Sequence, residues 1–394
     1  MFDCVITNLT VNVIILPIIP MKQKMNLEKQ LFEQLQNRKI NGGYRSLKTN
    51  LNQLIDFSSN DYLGLSKVEE IHNSHNDFID NGATGSRLLS GNKVYHEEVE
   101  RFLSVYFKSE SALLFNSGYV ANLGVLSTVP QKGDTILLDE LSHICIKEGV
   151  RLSRANYFNF KHNDLYDLEK KLKKIEAGNI FIVVESVYSM DGDQAPLKEI
   201  VNLSAQYNAN VIVDEAHSTG LYGESGFGLC CDLGLQDQIF ARIYTFGKAV
   251  GVHGAAVAGS NLLKDYLINY SRQFIYTTAL PYHSIQVIQN ALNYRKKHPE
   301  LWNDLKSRIS LFNSLLKPRV NKLESKHPVQ GIILGSAEEA IKFSDYLKGN
   351  GFDIRPILSP TVPKGKERVR ICLHAFNSEE EITTLCQHIN KYFQ

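Results

Sequence analysis

Three short stretches of this 394-residue chain carry side chains able to act together on a small molecule. In Asn210–His217 an aspartate, Asp214, closes an apolar run, and His217 follows three residues later. In Arg242–Gly251 a second apolar run leads into Lys248, flanked by Phe246, Gly247, Ala249 and Val250. Such flanks are poor company for a solvated ammonium. A desolvated amine has a depressed pKa, which is what Schiff-base chemistry with a carbonyl compound needs. A lysine used in this way implies a carbonyl cofactor, and pyridoxal phosphate (PLP) makes three further demands: an acid to keep its ring nitrogen protonated, a group packed on the ring face, and a cradle for its phosphate. Asp214 can be the acid, with His217 near the ring hydroxyl. The stretch Phe115–Asn122 reads as strand, glycine turn and helix start, where free N–H groups of Gly118 and Tyr119 can hold a phosphate. His143, after Asp139–Ser142, is a flat side chain that can stack.

Each of these residues has a plainer reading: a strand-end aspartate capping the next helix, a hydrogen-bonded histidine, a surface lysine. Other chemistries fail on missing parts. Asp214–His217 spells the Asp-Glu-Ala-His of a helicase group, but the G-x-x-x-x-G-K-[ST] that such an NTPase requires is absent; Gly247-Lys248 is followed by Ala249 and has Arg242 where the first glycine should stand. There is no G-x-G-x-x-G, no G-x-S-x-G and no H-E-x-x-H. The 12 histidines show no metal-ligand spacing, so no metal is expected.

The elements that must position these groups are short, nearly continuous apolar runs: 112–115, 135–139, 180–185, 210–214, 243–246 and 255–258. Strands buried on both faces read this way, whereas one-faced strands alternate. Helical candidates at 165–175 and 197–207 separate them, which predicts an α/β fold with a mostly parallel sheet, its ligands outside the carboxyl ends of the strands. Residues 282–316 read as one or two long amphipathic helices, and 328–394 as short strands and terminal helices. The expected organisation is an extension outside the folded protein (1–25), an N-terminal helix and short strand (26–56), a large PLP-binding α/β domain (57–280), and linking helices with a smaller C-terminal α+β domain (281–394). The apolar run at 11–20 is broken by Pro17 and Pro20, lacks preceding positive charge and is too short to span a bilayer. Lys+Arg 43 against Asp+Glu 42 gives a net charge of +1, which disfavours nucleic acid as a partner. Six cysteines without a C-x-x-C pair form no disulfide framework and suit a reducing cytoplasm, with the vicinal Cys230 and Cys231 as packing thiols.

Taken in order, Phe57–Gly64, Gly82–Gly91, His96, Asn116–Asn122, Leu141–His143, His162–Asp164, Ser189–Asp193, Asp214–His217, Thr245–Lys248 and Val369–Ile371 resemble the α-oxoamine synthases, PLP-dependent enzymes of fold type I, over about residues 30 to 390. The resemblance implies a condensation of an amino acid with an acyl thioester, on CoA or a carrier protein, with loss of CO2. It implies Lys248, His143 and Asp214 as catalytic residues. It assigns Gly118, Tyr119, His143, Ser189, Asp214, His217, Thr245, Lys248 and, from a second subunit, Thr278 to the cofactor. Arg45, His143, Thr361 and Arg370 would contact substrate, Arg370 as a planar fork on the amino-acid carboxylate. Family members are homodimers with sites at the interface. Among the family's activities the loop Gly85–Asn92 looks most like that of enzymes joining L-alanine to a pimeloyl thioester to make 8-amino-7-oxononanoate for biotin; glycine C-acetyltransferase is the next alternative, then 5-aminolevulinate synthase and serine palmitoyltransferase. Three departures stand out: His253 where the family commonly has serine, Ala249 in place of a frequent glycine, and a small insertion at 355–361.

Overall fold

The computed structural model describes residues 21–40, 43–47, 54–72 and 80–394. It divides into an N-terminal unit, residues 1–50, and a second compact unit from Leu51 to Gln394. Among the described residues the first contains one helix, Met21–Ile40. That helix begins before Leu27, so residues 21–25, assigned by sequence to the extension, are helical. The apolar run at 11–20 lies outside the described residues. Among the described residues no helix is long and apolar enough to cross a membrane.

Among the described residues the second unit is built on twelve strands: β1 (Ile55–Asp56), β2 (Ser111–Phe115), β3 (Thr135–Asp139), β4 (Asn156–Phe160), β5 (Ile180–Glu185), β6 (Ala209–Asp214), β7 (Ala241–Thr245), β8 (Ala255–Gly259), β9 (Val329–Ile333), β10 (Phe352–Asp353), β11 (Arg355–Ile357) and β12 (Arg368–Cys372). Seven form the main sheet in the order β2-β8-β7-β6-β5-β3-β4. β8 alone runs opposite to the other six strands. Alternate residues of the central strands enter two different cores. Ile182 and Val184 join Leu137, Val211 and Val213 on one face, while Phe181 and Val183 join Ile136, Ile212 and Ile243 on the other. Burial on both faces is why these strands read as unbroken apolar runs.

Two departures from that reading have physical causes. The edge strand β4 has no counterpart among the predicted runs, because its first four residues are exposed and two are asparagine. It pairs with β3 alone. β8 reads like its parallel neighbours but returns directly from β7 through a tight loop, in which Phe246 N donates to Gly254 O (3.0 Å) and Gly251 N to Lys248 O (2.8 Å). Lys248 therefore lies just past β7 in the connection of a β7–β8 hairpin.

The remaining strands form two small sheets, β1 with β10 in parallel and β11-β12-β9 antiparallel. Two helices, Tyr282–Lys297 and Glu300–Leu315, precede them in the chain. The segment after β1 runs beside the end of β12, with Cys372 N bonding Phe57 O (2.8 Å) and Ala375 N bonding Tyr62 O (2.8 Å). This contact carries Asn60 and Tyr62 to Arg370.

Gly251 closes the lysine loop at φ 72°, and a Cβ there would lie 2.4 Å from the backbone nitrogen of Ser66. Both the left-handed backbone and the backbone neighbour oppose a side chain. Gly251→Ala is expected to cost about 1–3 kcal/mol of stability, read as a lower denaturant midpoint with an unchanged slope.

Candidate active site

Five parallel strands of the main sheet end on one edge, and each end leads into a polar or titratable residue: Asn116 after β2, His143 after β3, Glu185 on β5, Asp214 on β6 and Lys248 after β7. Parallel strands place their carboxyl ends together, so residues more than 130 positions apart meet without any local sequence signal. β5 and β6 are in register with Glu185 directly opposite Asp214.

Asp214 is buried and held by two donors. Asn122 Nδ2 bonds its Oδ2 at 2.7 Å, and the backbone N–H of Ala216 bonds its Oδ1 at 2.8 Å. Asn122 also donates to Gly118 O (2.9 Å), which ties the acid to the start of the helix Gly118–Leu126. Ser117 caps that helix by accepting from Val120 N (3.3 Å). The first N–H groups of a helix, here those of Gly118 and Tyr119, have no intrahelical acceptor. A Cβ on Gly118 would lie 2.0 Å from Thr245 Oγ1, so a glycine is required for the helix end to approach β7 this closely.

Lys248 is half-buried, and loss of hydration pushes its amine pKa below the usual lysine range. The carboxylates of Asp214 and Glu185 oppose that shift, and Arg370 adds to it. Glu185 shifts the other way: burial first, and then the charge of Asp214, push its carboxyl well above the ordinary range. One oxygen of Glu185 accepts from the backbone N–H of His143 at 2.6 Å. His143 opens to solvent, yet the protein around it lowers its pKa, with Asp214 opposing and Lys248 and Lys147 adding to the effect. Its Nδ1 lies 2.9 Å from Cys145 Sγ and 3.3 Å from the backbone nitrogen of Cys145.

His217 is buried, and burial together with Lys248, Arg370, His327 and His143 holds its pKa well below the usual value, so the ring is neutral. Its Nδ1 lies 2.8 Å from the hydroxyl of Tyr62, and its backbone carbonyl accepts from His327 Nε2 at 2.8 Å. Arg370 donates to Asn60 Oδ1 and lies 3.4 Å from Tyr62 OH, while its buried Nε has no partner among the described residues. A guanidinium with an uncommitted donor is suited to a carboxylate.

The other sequence-predicted residues are placed less centrally. Tyr119 spends its hydroxyl on Glu148, which leaves its backbone N–H for the helix terminus. Ser189 is half-buried in the turn after β5. Thr278 is exposed, and its carbonyl accepts from Asn116 Nδ2 (3.0 Å). Thr361 is exposed in the β11–β12 loop, its N–H bonded to Leu358 O (2.9 Å). Arg45 is an exposed residue of the N-terminal unit, not of the unit that carries all the others. His253 is exposed and Ala249 buried in the Lys248 loop. Sequence reasoning left out Glu185, Asn122, Asn60, Tyr62, Cys145 and His327. Glu185 was visible as a polar strand end, Asn60 and Tyr62 lie in the Phe57–Gly64 motif and Asn122 in the Asn116–Asn122 motif; Cys145 and His327 gave no signal, because their partners are set by the fold.

Spacing hides one further cluster. His162 bridges Asp139 (3.0 Å) and Asp193 (2.7 Å), and Asp191 pairs with Arg368. Burial lowers the pKa of His162, but the two aspartates outweigh it and raise the pKa to about 10. The group is internally neutralised, an ion-pair network rather than an open ligand set.

The donor set fits PLP: a desolvated lysine, a buried aspartate held by two donors, a neutral histidine, and a helix N-terminus whose glycine leaves room for the close approach of Thr245. Residues 52–389 match the aminotransferase class I and II family, to which the chain belongs. Its relatives include the 8-amino-7-oxononanoate synthase of Emericella nidulans, 39% identical and covering 93% of this chain and 96% of that one. Another is 8-amino-7-oxononanoate synthase 2 of Bacillus subtilis, 36% identical over 92% and 97%. Among solved structures, serine palmitoyltransferase from S. paucimobilis with PLP and myriocin bound superposes with a TM-score of 0.84 at 26% identity, covering 94% of this chain and 98% of that one. The 8-amino-7-oxononanoate synthase of Francisella tularensis gives 0.74 at 28%, covering 86% and 98%. These relatives put the chain among the α-oxoamine synthases, in the PLP-dependent transferase fold of type I.

The Glu185 shift sets a pH dependence. A carboxyl whose folded pKa is raised keeps its proton in the folded state after the unfolded chain has lost it, so stability falls as pH rises from the ordinary carboxylate range to the raised value. Glu185→Gln is expected to remove that loss. Its stability advantage over wild type in the cofactor-free protein should grow through this window with a limiting slope of about 1.4 kcal/mol per pH unit, measured by denaturation at a series of pH values.

Proposed function

We propose that the protein is a PLP-dependent acyltransferase that condenses L-alanine with a pimeloyl thioester, on CoA or a carrier protein, releasing the thiol and CO2 to give 8-amino-7-oxononanoate. The observation that carries this reading is the desolvated Lys248 beside the buried Asp214 on neighbouring strand ends, with the uncommitted Nε of Arg370 close by. The relatives named for this activity favour alanine and pimeloyl over other family members' substrates.

When bound, PLP supplies an electron sink that acidifies the Cα–H of the amino acid. Lys248 would hold the cofactor covalently and, once displaced by the substrate amine, take the Cα proton, a role that its lowered pKa favours. Asp214 would keep the cofactor nitrogen protonated. The N–H groups of Gly118 and Tyr119 would bind phosphate, joined by Thr278 from a second subunit of a homodimer, and Thr245 and Ser189 would supply hydroxyl contacts to the cofactor. His217, neutral and bonded to Tyr62, would contact the ring hydroxyl. Arg370, oriented by Asn60, would grip the amino-acid carboxylate until it leaves as CO2. His143 would cover the ring and face the thioester carbonyl, and Thr361 would be the remaining substrate contact of this unit. The buried free thiols Cys145, Cys230, Cys231, Cys372 and Cys386 suit a cytoplasmic enzyme.

The test is thiol and CO2 release across alanine, glycine and serine, each crossed with pimeloyl, acetyl, succinyl and palmitoyl-CoA. Alanine with pimeloyl-CoA should be preferred, and Lys248→Ala should lower its rate by about a hundredfold or more. Preference for glycine with acetyl-CoA, or for serine with palmitoyl-CoA, would reassign the substrates; turnover that survives Lys248→Ala would remove the mechanism.

A further inference from the structure

We propose that Cys145 is a positioning residue for His143: its thiol and its backbone N–H both point at Nδ1, and together they fix the imidazole as the tautomer that carries its proton on Nε2, the nitrogen left for the substrate.

The argument starts from what each group can do. A backbone N–H can only donate, and that of Cys145 lies 3.3 Å from Nδ1 of His143, so Nδ1 must present its lone pair. The sulfur of Cys145 lies 2.9 Å from the same nitrogen. Cys145 is buried, and burial, then the charges of Asp214 and Glu185, push its thiol pKa up, so the sulfur keeps its proton and donates. His143 is itself held neutral by its lowered pKa. A neutral imidazole carries one proton, and two donors on Nδ1 send it to Nε2. A third contact fixes the backbone: His143 N donates to Glu185 Oε1 at 2.6 Å. The ring is thus anchored at its backbone and at one nitrogen, and its Nε2 makes no hydrogen bond among the described residues.

The consequence is a direction for His143. A ring protonated on Nε2 offers a donor to the cleft and no base there. It is suited to polarising a carbonyl oxygen of the acyl thioester and cannot take the Cα proton, which leaves that proton to Lys248. This step rests on the functional reading above, but the tautomer does not.

The experiment uses full-length protein labelled with 15N-histidine, with and without PLP, and long-range 1H–15N spectra at neutral pH; His143→Asn identifies the relevant signal among the 12 histidines. Wild type is expected to show the Nε2–H pattern. Cys145→Ala, which removes the thiol but keeps the amide, should move the His143 signal toward a mixture of tautomers. It should also lower kcat by roughly three- to tenfold, the range of one lost hydrogen bond, with KM for the amino acid unchanged. Cys145→Ser, which restores a donor, should return both readouts most of the way. An Nδ1–H pattern in wild type overturns the proposal, as does an Ala variant whose spectrum matches wild type. So does an Ala variant whose spectrum and rate match those of Ser, since that would mark a packing role. If Cys145→Ala does not fold, the wild-type spectrum still decides the tautomer. If no thioester is turned over, the functional reading fails while the spectrum of the cofactor-free protein still decides this one.

Discussion

An amine that leaves water loses its hydration before it gains anything from the protein, and Lys248 is held in that condition. The carboxyl groups of Asp214 and Glu185 oppose that loss, Asp214 the more strongly. Glu185 and Asp214 sit opposite each other on adjacent buried strands, where two neighbouring anions are unfavourable, and burial drives Glu185 toward its protonated form. The attraction on Lys248 is therefore mainly that of Asp214, and desolvation wins. In the same arrangement Asp214 is pinned by Asn122 and the Ala216 amide.

The fold serves this balance through the direction of its strands. Six parallel strands bring their carboxyl ends to one edge, and the lone antiparallel strand β8 lets the chain turn back tightly after β7, so that the lysine sits in a short, anchored loop. The helix Gly118–Leu126 is drawn against β7 by the absence of a side chain at Gly118 and joined to Asp214 by Asn122. On the other side, the bonds between Phe57–Tyr62 and the end of β12 bring Asn60 and Tyr62 to Arg370 and His217. One hydroxyl, that of Tyr62, touches both Arg370 and His217.

The central strands were legible because both of their faces are buried, and Lys248 and Asp214 because an unlikely neighbourhood surrounded a charge at a strand end. The edge strand β4 was not, since an exposed strand with two asparagines carries no apolar period. Nor was the start of the N-terminal helix at Met21, because Met21–Met25 resemble a linker more than a helical turn. Pairings across the chain were beyond reach for a different reason. Tyr62 and His217 are 155 residues apart, and Arg370 and Asn60 are 310 apart; only closure of the sheets decides that they meet. Cys145 is the instructive case. It stands two residues from His143, yet nothing in its spacing says that its thiol and amide converge on one ring nitrogen.

The claim on which the account depends is that desolvation outweighs charge attraction at Lys248. Competitive acetylation of the cofactor-free protein across a range of pH, with each lysine read separately by peptide mass spectrometry, measures it directly. The account predicts that Lys248 titrates below the ordinary lysine value of about 10.4. Titration of Lys248 at or above that value, together with the surface lysines, would contradict it.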